Sequence, residues 1–210
     1  MWNLTIQSGT YLFISPLIDI PIGLPQTTSD IRPDKYIRKE LGPKASSIFD
    51  VPCRQAVYEE SKEAARHVNI SILGKSLSEQ TLAISKAIRQ VDEFLQDNTE
   101  WKNKLVESHP EFCFSKLNNN KPVMENKLTL EGQQKRLDIL ESYYSDARRV
   151  VEKFLNDVPY RKKIDDVIDA LCLAVTGKLI LELGLKTIPE NPMMDARGIL
   201  MQMVYGECVS

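Results

Sequence analysis

The chain is poor in the residues that build zinc sites and disulfide frameworks. Its 210 residues include two histidines and four scattered cysteines, Cys53, Cys113, Cys172 and Cys208. No two cysteines form a C-x-x-C pair, and no histidine follows them at zinc-finger spacing. This pattern argues against structural zinc and predicts free thiols in a reducing, cytoplasmic environment.

Positive charge is not in excess, and long apolar runs are missing. The chain has 27 Lys and Arg residues against 29 Asp and Glu residues, a net charge of −2. No global basic field therefore indicates nucleic-acid binding, although a local basic groove is compatible with this balance. No uncharged apolar run follows a basic segment, so the sequence predicts neither a signal peptide nor a membrane partner.

Three motifs of common enzyme classes are also absent. The sequence contains no phosphate-binding P-loop, no dinucleotide-binding glycine fingerprint after a strand and no G-x-S-x-G elbow. These absences argue against nucleotide-driven motors, dinucleotide enzymes and serine hydrolases. The remaining composition, 42% hydrophobic and 27% charged, is that of an ordinary globular domain.

Apolar patterning predicts strands near both ends of the chain and helices between them. Strands are expected at residues 2–6, 11–18, 106–109 and 198–205, and a loop at 188–192. Helices are expected at residues 33–41, 55–68, 76–96, 130–144, 146–156 and 164–184. Ser76 and Glu79 have capping-box spacing at the start of the third of these helices. The order of elements predicts an α/β fold in which helices flank a small mixed sheet.

Asp19 is the first candidate functional residue. It ends an apolar strand that runs into the stiff turn 21–25, and it is the only charged residue among the first 29. A carboxylate in apolar surroundings loses hydration and must gain a metal ion, a cation or several hydrogen bonds. Other acids of the chain are therefore candidates to share a site with Asp19.

The last long helix supplies such acids. It begins with Asp165 and Asp166, and Asp169 follows three residues after Asp166, so these last two share a helical face. Eight uncharged residues follow Asp169, which predicts that its face continues into the core. The alternative interpretation is that Asp165 and Asp166 only complement the helix dipole.

A third cluster follows the predicted strand near residue 106. Glu107 and His109 share one face of that strand, and Glu111 falls in the first turn of the next helix. The alternative is a solvated strand edge with a histidine that caps the helix. If Asp19, Glu111, Asp166 and Asp169 meet, they form an oxygen-rich site for Mg²⁺ or Mn²⁺. Two such ions can support hydrolysis of a phosphodiester.

At this point several ordered motifs agree with one family. The chain resembles a family of uncharacterised bacterial and archaeal proteins described as predicted nucleases with an RNase H-like fold. The matching segments cover nearly all of residues 17–205: they are 18–25, 38–42, 47–54, 109–111, 127–132 with Arg136, 165–170 and 195–198.

The resemblance implies metal-dependent cleavage of DNA or RNA. It implies that Asp19 is the acid of a central strand and that Asp169 is the C-terminal acid, as in the acidic last helix of Holliday-junction resolvases. Asp166 and Glu111 would be auxiliary catalytic residues, and Asp19, Asp166 and Asp169 would hold the metal. The expected substrate-binding residues are Arg54, His109, Lys127 and Arg136. Arg54 and Lys127 each precede a helix, where a phosphate can bind.

Two departures from the family pattern qualify this expectation. One of two lysines expected before Thr129 is replaced by Leu128. The family also begins with a strand carrying Gly-x-Asp well upstream, whereas only 18 residues precede Asp19 here. We therefore expect a single RNase H-like domain over 1–210, truncated at its N-terminus, with a helical insertion around 30–100. Its first metal-binding aspartate would be missing, its activity would be weakened or lost, and its open sheet edge would favour a homodimer. The alternative is a non-catalytic nucleic-acid-binding or protein-interaction module on the same scaffold.

Overall fold

The structure, a computed structural model, describes residues 15–157 and 163–206. Eight α-helices and four short strands lie in these ranges. The strands are β1 (Leu17–Ile18), β2 (Val106–Glu107), β3 (Lys186–Ile188) and β4 (Met203–Tyr205). The helices are α1 (Asp34–Leu41), α2 (Arg54–Val57), α3 (Lys62–Leu73), α4 (Glu79–Asp97), α5 (Pro110–Leu117), α6 (Leu130–Glu141), α7 (Ala147–Asp157) and α8 (Ile164–Leu183).

The strands form one mixed sheet in the order β1-β2-β4-β3. β1 is parallel to β2, with Ile18 opposite Glu107, and β2 is parallel to β4. β3 closes the other side by pairing antiparallel with β4. Parallel strands end at the same edge of a sheet, so the residues that follow Ile18 and Glu107 come close together there.

Helices cover the sheet, as the apolar patterning predicted. Helix α8 packs against β1 and β4, and also against α5, α6 and α7. The largest hydrophobic cluster joins these helices through buried residues such as Phe114, Leu140 and Ile168. A second cluster joins Ile37 of α1 to Met203 of β4. The prediction of an α/β protein with a small mixed sheet flanked by helices is confirmed.

Two helix predictions were wrong in detail. The segment 55–68 is two helices, because the chain turns after α2 and Ser61 caps α3, its Oγ accepting from the Ala64 amide at 3.1 Å. Helix α4 begins after Ser78 rather than Ser76, and the Ser78 Oγ accepts from the Thr81 amide at 3.1 Å. In both places a serine oxygen satisfies a free N–H of the first turn, and at α4 both Ser76 and Ser78 were available to do so.

The strand predictions were right in position and too long. Of the segment 198–205 only β4 is a strand, because a turn at Gly198 precedes an isolated bridge between Met194 and Leu200. Strand β3 runs to Ile188, the first residue of the expected loop, and it is too short to show a periodic pattern. The expected strand at 2–6 and the first part of 11–18 lie outside the described residues.

Three of the four cysteines behave as predicted. Cys53, Cys113 and Cys172 are buried free thiols, and Cys208 lies outside the described residues. Among the helices of the described ranges, none has the length and apolarity needed to cross a bilayer.

Candidate functional site

Asp19 lies one residue beyond β1, at the sheet edge where β1 and β2 both end. Its side chain is accessible to solvent, and it has no hydrogen bond or ion pair with the described part of the chain. Burial by the surrounding protein nevertheless raises its pKa above the usual value, while the charges of His109 and Lys127 act in the opposite direction. Asp19 is therefore an uncommitted carboxylate in a recess rather than a residue on an open surface.

The turn after Asp19 is held by a buried ion pair. The Ile22 amide donates to Oε2 of Glu107 at 2.8 Å, and Nη2 of Arg32 donates to both oxygens of Glu107 at 2.8 Å. Arg32 also donates to the carbonyls of Ile22 and Gly23. Gly23 has a φ of 74°, and a Cβ there would lie 2.9 Å from Cγ of Met201. Only glycine can adopt this conformation so close to Met201. The hydrogen bonds of the turn with Arg32 and Glu107 then hold it rigid.

A second buried network holds the end of the same turn. Arg54 pairs with Asp92 at 3.1 Å and with Asp195, and Asp195 accepts from the Leu24 amide at 3.1 Å. Hydrogen bonds with backbone amides and Arg54 lower the pKa of Asp195 despite burial. Arg54 is 3% exposed. The expectation that Arg54 binds substrate is therefore corrected: the guanidinium is used inside the fold.

Asp169 lies on α8 and is only partly paired. Its Oδ2 accepts from Nζ of Lys127 at 2.7 Å, whereas its Oδ1 is buried without a hydrogen-bond partner in the described residues. Burial raises the pKa of Asp169, the charges of Glu111 and Asp19 raise it further, and Lys127 opposes them. The charge of Asp19 therefore acts on Asp169, so the two acids lie within electrostatic reach of each other.

Asp166 does not join this cluster. Its side chain is 57% exposed and lies 3.3 Å from Nζ of Lys163. The acid that faces the cluster is Asp165, four residues before Asp169, with its Oδ2 4.0 Å from Nζ of Lys127. Residues three and four before Asp169 are both its neighbours on a helix, so spacing alone did not decide between them. The prediction of Asp166 as a catalytic and metal-binding residue is corrected on this ground.

Glu111 reaches the cluster as the partner of a buried arginine. Nη2 of Arg136 donates to Glu111 at 2.6 Å, and Nη1 donates to the carbonyls of Glu125 and Gly132 at 3.0 Å each. Arg136 is 1% exposed. It fixes the chain just before Lys127 and neutralises Glu111, so the expectation that Arg136 binds substrate is also corrected.

Lys127 owes its position to a close backbone contact. A Cβ on Gly132 would lie 1.9 Å from the carbonyl oxygen of Asn126, so only glycine lets this loop rest on the first turn of α6. Thr129 caps that helix, its Oγ1 accepting from the Gly132 amide at 3.1 Å. The Lys127 side chain is 38% exposed, and its ammonium contacts Asp169. Of the four expected substrate-binding residues, Lys127 is thus both accessible and at the cluster.

His109 follows β2, directly beside Asp19. Its ring is half-buried, and Nδ1 has no hydrogen-bond partner among the described residues. It stands at the N-terminus of α5 without making a side-chain cap, so the interpretation of His109 as a helix cap is not supported. His109 and Asp19 line the same cavity, of about 130 Å³.

The residues present fit a lightly held divalent ion rather than a complete metal cage. The described ranges contain no group of three or more His, Cys, Asp and Glu residues placed to hold a metal. However, Asp19 is uncommitted and Oδ1 of Asp169 is an unpartnered buried acceptor. Mg²⁺ commonly takes one or two carboxylates, keeps several waters and is completed by substrate phosphate. Asp19 and Oδ1 of Asp169 are the candidates for such carboxylate ligands.

Comparison with known proteins gives one result. A family model described as "Protein of unknown function (DUF429)" matches residues 15–194. The chain belongs to this family. Searches of curated proteins and of solved structures returned no match.

The DUF429 match contains every residue of the cluster. Asp19, His109, Lys127 and Asp169 all fall between residues 15 and 194, whereas β4 lies beyond the matched range.

Sequence reasoning missed the roles of Glu107 and Arg32. Glu107 was recognised as an acid at a strand end, but its partner lies 75 residues away and showed no pattern. One signal was available: Asp19 is the only charged residue among the first 29, so any charged group near this turn must come from a more distant segment.

Proposed function

We propose that this chain is a divalent-metal-dependent nuclease with an RNase H-like fold. The observation that carries the proposal is that two incompletely paired carboxylates, Asp19 beyond β1 and Asp169 on α8, lie within electrostatic reach of each other. The parallel arrangement of β1, β2 and β4, with an acidic helix packed against β1 and β4, supports the fold assignment.

Each residue of the cluster has a task in phosphodiester hydrolysis. Bound Mg²⁺ or Mn²⁺ would supply Lewis acidity and an activated water. Asp19 and Oδ1 of Asp169 offer the oxygen atoms that would hold such an ion. Lys127 keeps Asp169 oriented, and its accessible ammonium can also contact a substrate phosphate. Glu111 is paired with Arg136 and holds that arginine in place next to the cluster. His109 lines the same cavity as Asp19 and can contact the substrate there.

The proposal is tested by cleavage assays on end-labelled single-stranded DNA, single-stranded RNA and a four-way DNA junction. We expect cleavage of at least one substrate with Mn²⁺ or Mg²⁺ and none with EDTA. Asp19→Asn and Asp169→Asn should each lower the rate at least about 100-fold, because removing a ligand costs the ion and the water that it activates.

Asp166→Asn is the matched control, since it removes the same charge from the same helix at an exposed position. Its cleavage rate should remain within about twofold of the wild type, as expected for an exposed charge. Cleavage that persists in both Asp19→Asn and Asp169→Asn, or that falls equally in Asp166→Asn, would contradict the proposed site.

One observation favours a second function, binding without cleavage. The ammonium of Lys127 already neutralises the carboxylate of Asp169, so these acids can have a purely structural role without binding a metal ion. In that case no metal supports cleavage, and Asp19→Asn should increase affinity for an oligonucleotide because it removes a charge that repels phosphate. The nuclease proposal expects the reverse change in Mg²⁺, because the variant holds the ion less well.

A further inference from the structure

A small cavity opens directly beside Asp19, between the sheet edge and the 48–49 segment. Its volume is about 130 Å³. Most of its wall is apolar: Ile20, Pro21, Ile48, Phe49, Ile84 and Met203. An aliphatic cavity of about 150 Å³ is known to hold one benzene molecule. The space beside Asp19 is therefore that of a single six-membered ring.

The polar part of the wall is mostly carboxylate. It consists of Asp19, Asp34, Glu107 and His109. Ionised carboxylates only accept hydrogen bonds, whereas an imidazole nitrogen can donate or accept. Glu107 and Asp34 already accept from Arg32, so Asp19 is the acceptor of this wall that has no partner in the described residues, and Nδ1 of His109 also has none there. A ring that enters this cavity gains most if it carries an N–H₂ donor.

We propose that this cavity binds one cytosine base of the nucleic-acid strand, unstacked and placed next to the phosphate at Asp19. This assignment rests on the proposed nuclease function and extends it to the substrate. Cytosine is the single-ring base with an exocyclic amine, whereas uracil and thymine present a carbonyl at that position. Purines exceed the ring-sized space. Phe49 supplies an aromatic surface of the kind on which single-stranded bases stack.

The cavity also discriminates between single-stranded and double-stranded nucleic acid. A base inside a duplex is stacked and paired, and extracting it costs the free energy of both interactions. The cavity at Asp19 therefore favours single strands, loops or ends over intact duplex, and it places the cleaved phosphodiester beside a cytidine.

The direct test uses free nucleosides, which need neither metal nor cleavage. Cytidine and uridine are titrated into the full chain, and the methyl resonances of Ile84 and Met203 are followed by NMR, with Leu183 of α8 as a distant exposed reference. Cytidine should shift the two cavity resonances and leave Leu183 unchanged. Uridine should bind at least about fivefold more weakly, because its carbonyl faces acceptors.

Two variants change the cavity in opposite directions. Phe49→Ala removes the stacking surface, and Ile84→Phe fills the space. Both should weaken cytidine binding about tenfold or more, the range measured for one base on one aromatic side chain. Phe94→Ala is the control, because Phe94 is exposed and contacts Trp101 instead. Circular dichroism checks that each variant is folded.

The outcomes separate this assignment from the nuclease proposal. Absence of cavity shifts with cytidine, or equal binding of uridine, overturns the cytosine assignment even if the chain cleaves nucleic acid. Selective cytidine binding that Ile84→Phe abolishes supports it. Should that binding occur in a chain that cleaves nothing, the cavity assignment stands and the nuclease proposal fails.

Discussion

Two kinds of charged cluster lie near the turn that follows Asp19. In the networks around Arg32 and Arg54, each guanidinium is matched by two carboxylates and each is nearly excluded from solvent. In the cluster of Asp19 and Asp169, one accessible lysine pairs with Asp169, while Asp19 has no ion pair and Oδ1 of Asp169 has no hydrogen-bond partner within the described chain. Similar residue types are thus saturated in charge, with carboxylates matching every cation, in one place and unsaturated in the other, although Nη1 of Arg54 is itself buried without a hydrogen-bond partner in the described residues.

The difference indicates what each cluster does. A buried charge is tolerated only when partners replace its lost hydration, so the saturated networks act on the fold. They fix the turn after Asp19 through Glu107 and Asp195. Acids held close together with partners missing raise each other's pKa and cost stability, a pattern that is enriched at functional sites. The saturated networks support the turn rigidly, and the unsaturated cluster is where a bound ligand gains the most interaction energy.

The largest expected effect comes from breaking a saturated network. Arg54→Met should lower the free energy of unfolding by about 3 kcal/mol or more, because Asp92 and Asp195 stay buried without their main cation. Urea denaturation of the purified chain measures this. Arg149→Met is the control: Arg149 is 76% exposed, so losing its pair with Asp146 should leave the midpoint of urea denaturation nearly unchanged. Equal stabilities of the two variants would show that the Arg54 network is not a structural support.

An intermediate effect is expected where backbone packing positions the lysine of the unsaturated cluster. Gly132→Ala places a methyl group against the Asn126 carbonyl, so the loop must move and the free energy of unfolding should fall by about 1–3 kcal/mol. Gly177→Ala offers the contrast, since its nearest neighbour outside the helix is 3.9 Å away. That variant should gain up to about 1 kcal/mol from helix propensity. Destabilisation of both variants alike, in the same denaturation assay, would argue against a specific close contact at Gly132.

The smallest effect is expected at the unsaturated cluster, and its sign is opposite. Asp19→Asn should raise the free energy of unfolding at pH 7 by a few tenths of a kcal/mol, a small value because solvent screens this accessible group. The folded pKa of Asp19 is raised above its usual value of 3.8, so its charge costs stability above the folded pKa. That cost disappears as pH falls through the folded pKa, where the wild-type carboxyl is protonated.

Thermal melts of wild type and Asp19→Asn between pH 7 and pH 4 measure this difference. The gap between the two melting temperatures should close as the pH is lowered. A variant that is less stable than the wild type at pH 7 would place Asp19 with the saturated networks and remove the contrast on which the site depends.

Much of the fold could be predicted because local patterns carry it. Helical periodicity gave α4 and α8, and the proline after His109 gave the start of α5, since these signals lie within a few residues. The break between α2 and α3 depended on the turn after α2, which the apolar pattern of the segment did not reveal, and Ser61 then caps α3. Strand β3 was invisible because three residues have no period. For the site, the lone charge of Asp19 was a usable signal, whereas the choice between Asp165 and Asp166 depended on where Lys127 lies.

The amino-acid order alone determined that one acid ends an apolar strand and that another lies on a long apolar helix, because burial of apolar faces orders both elements. The tertiary structure alone decided which charges are satisfied. Glu107 and Arg32 are 75 residues apart, and Arg54 and Asp195 are 141 apart. Such pairs form only when the packed core brings distant segments together. The same packing leaves Asp19 and one oxygen of Asp169 without partners in the described residues, and therefore able to bind a ligand.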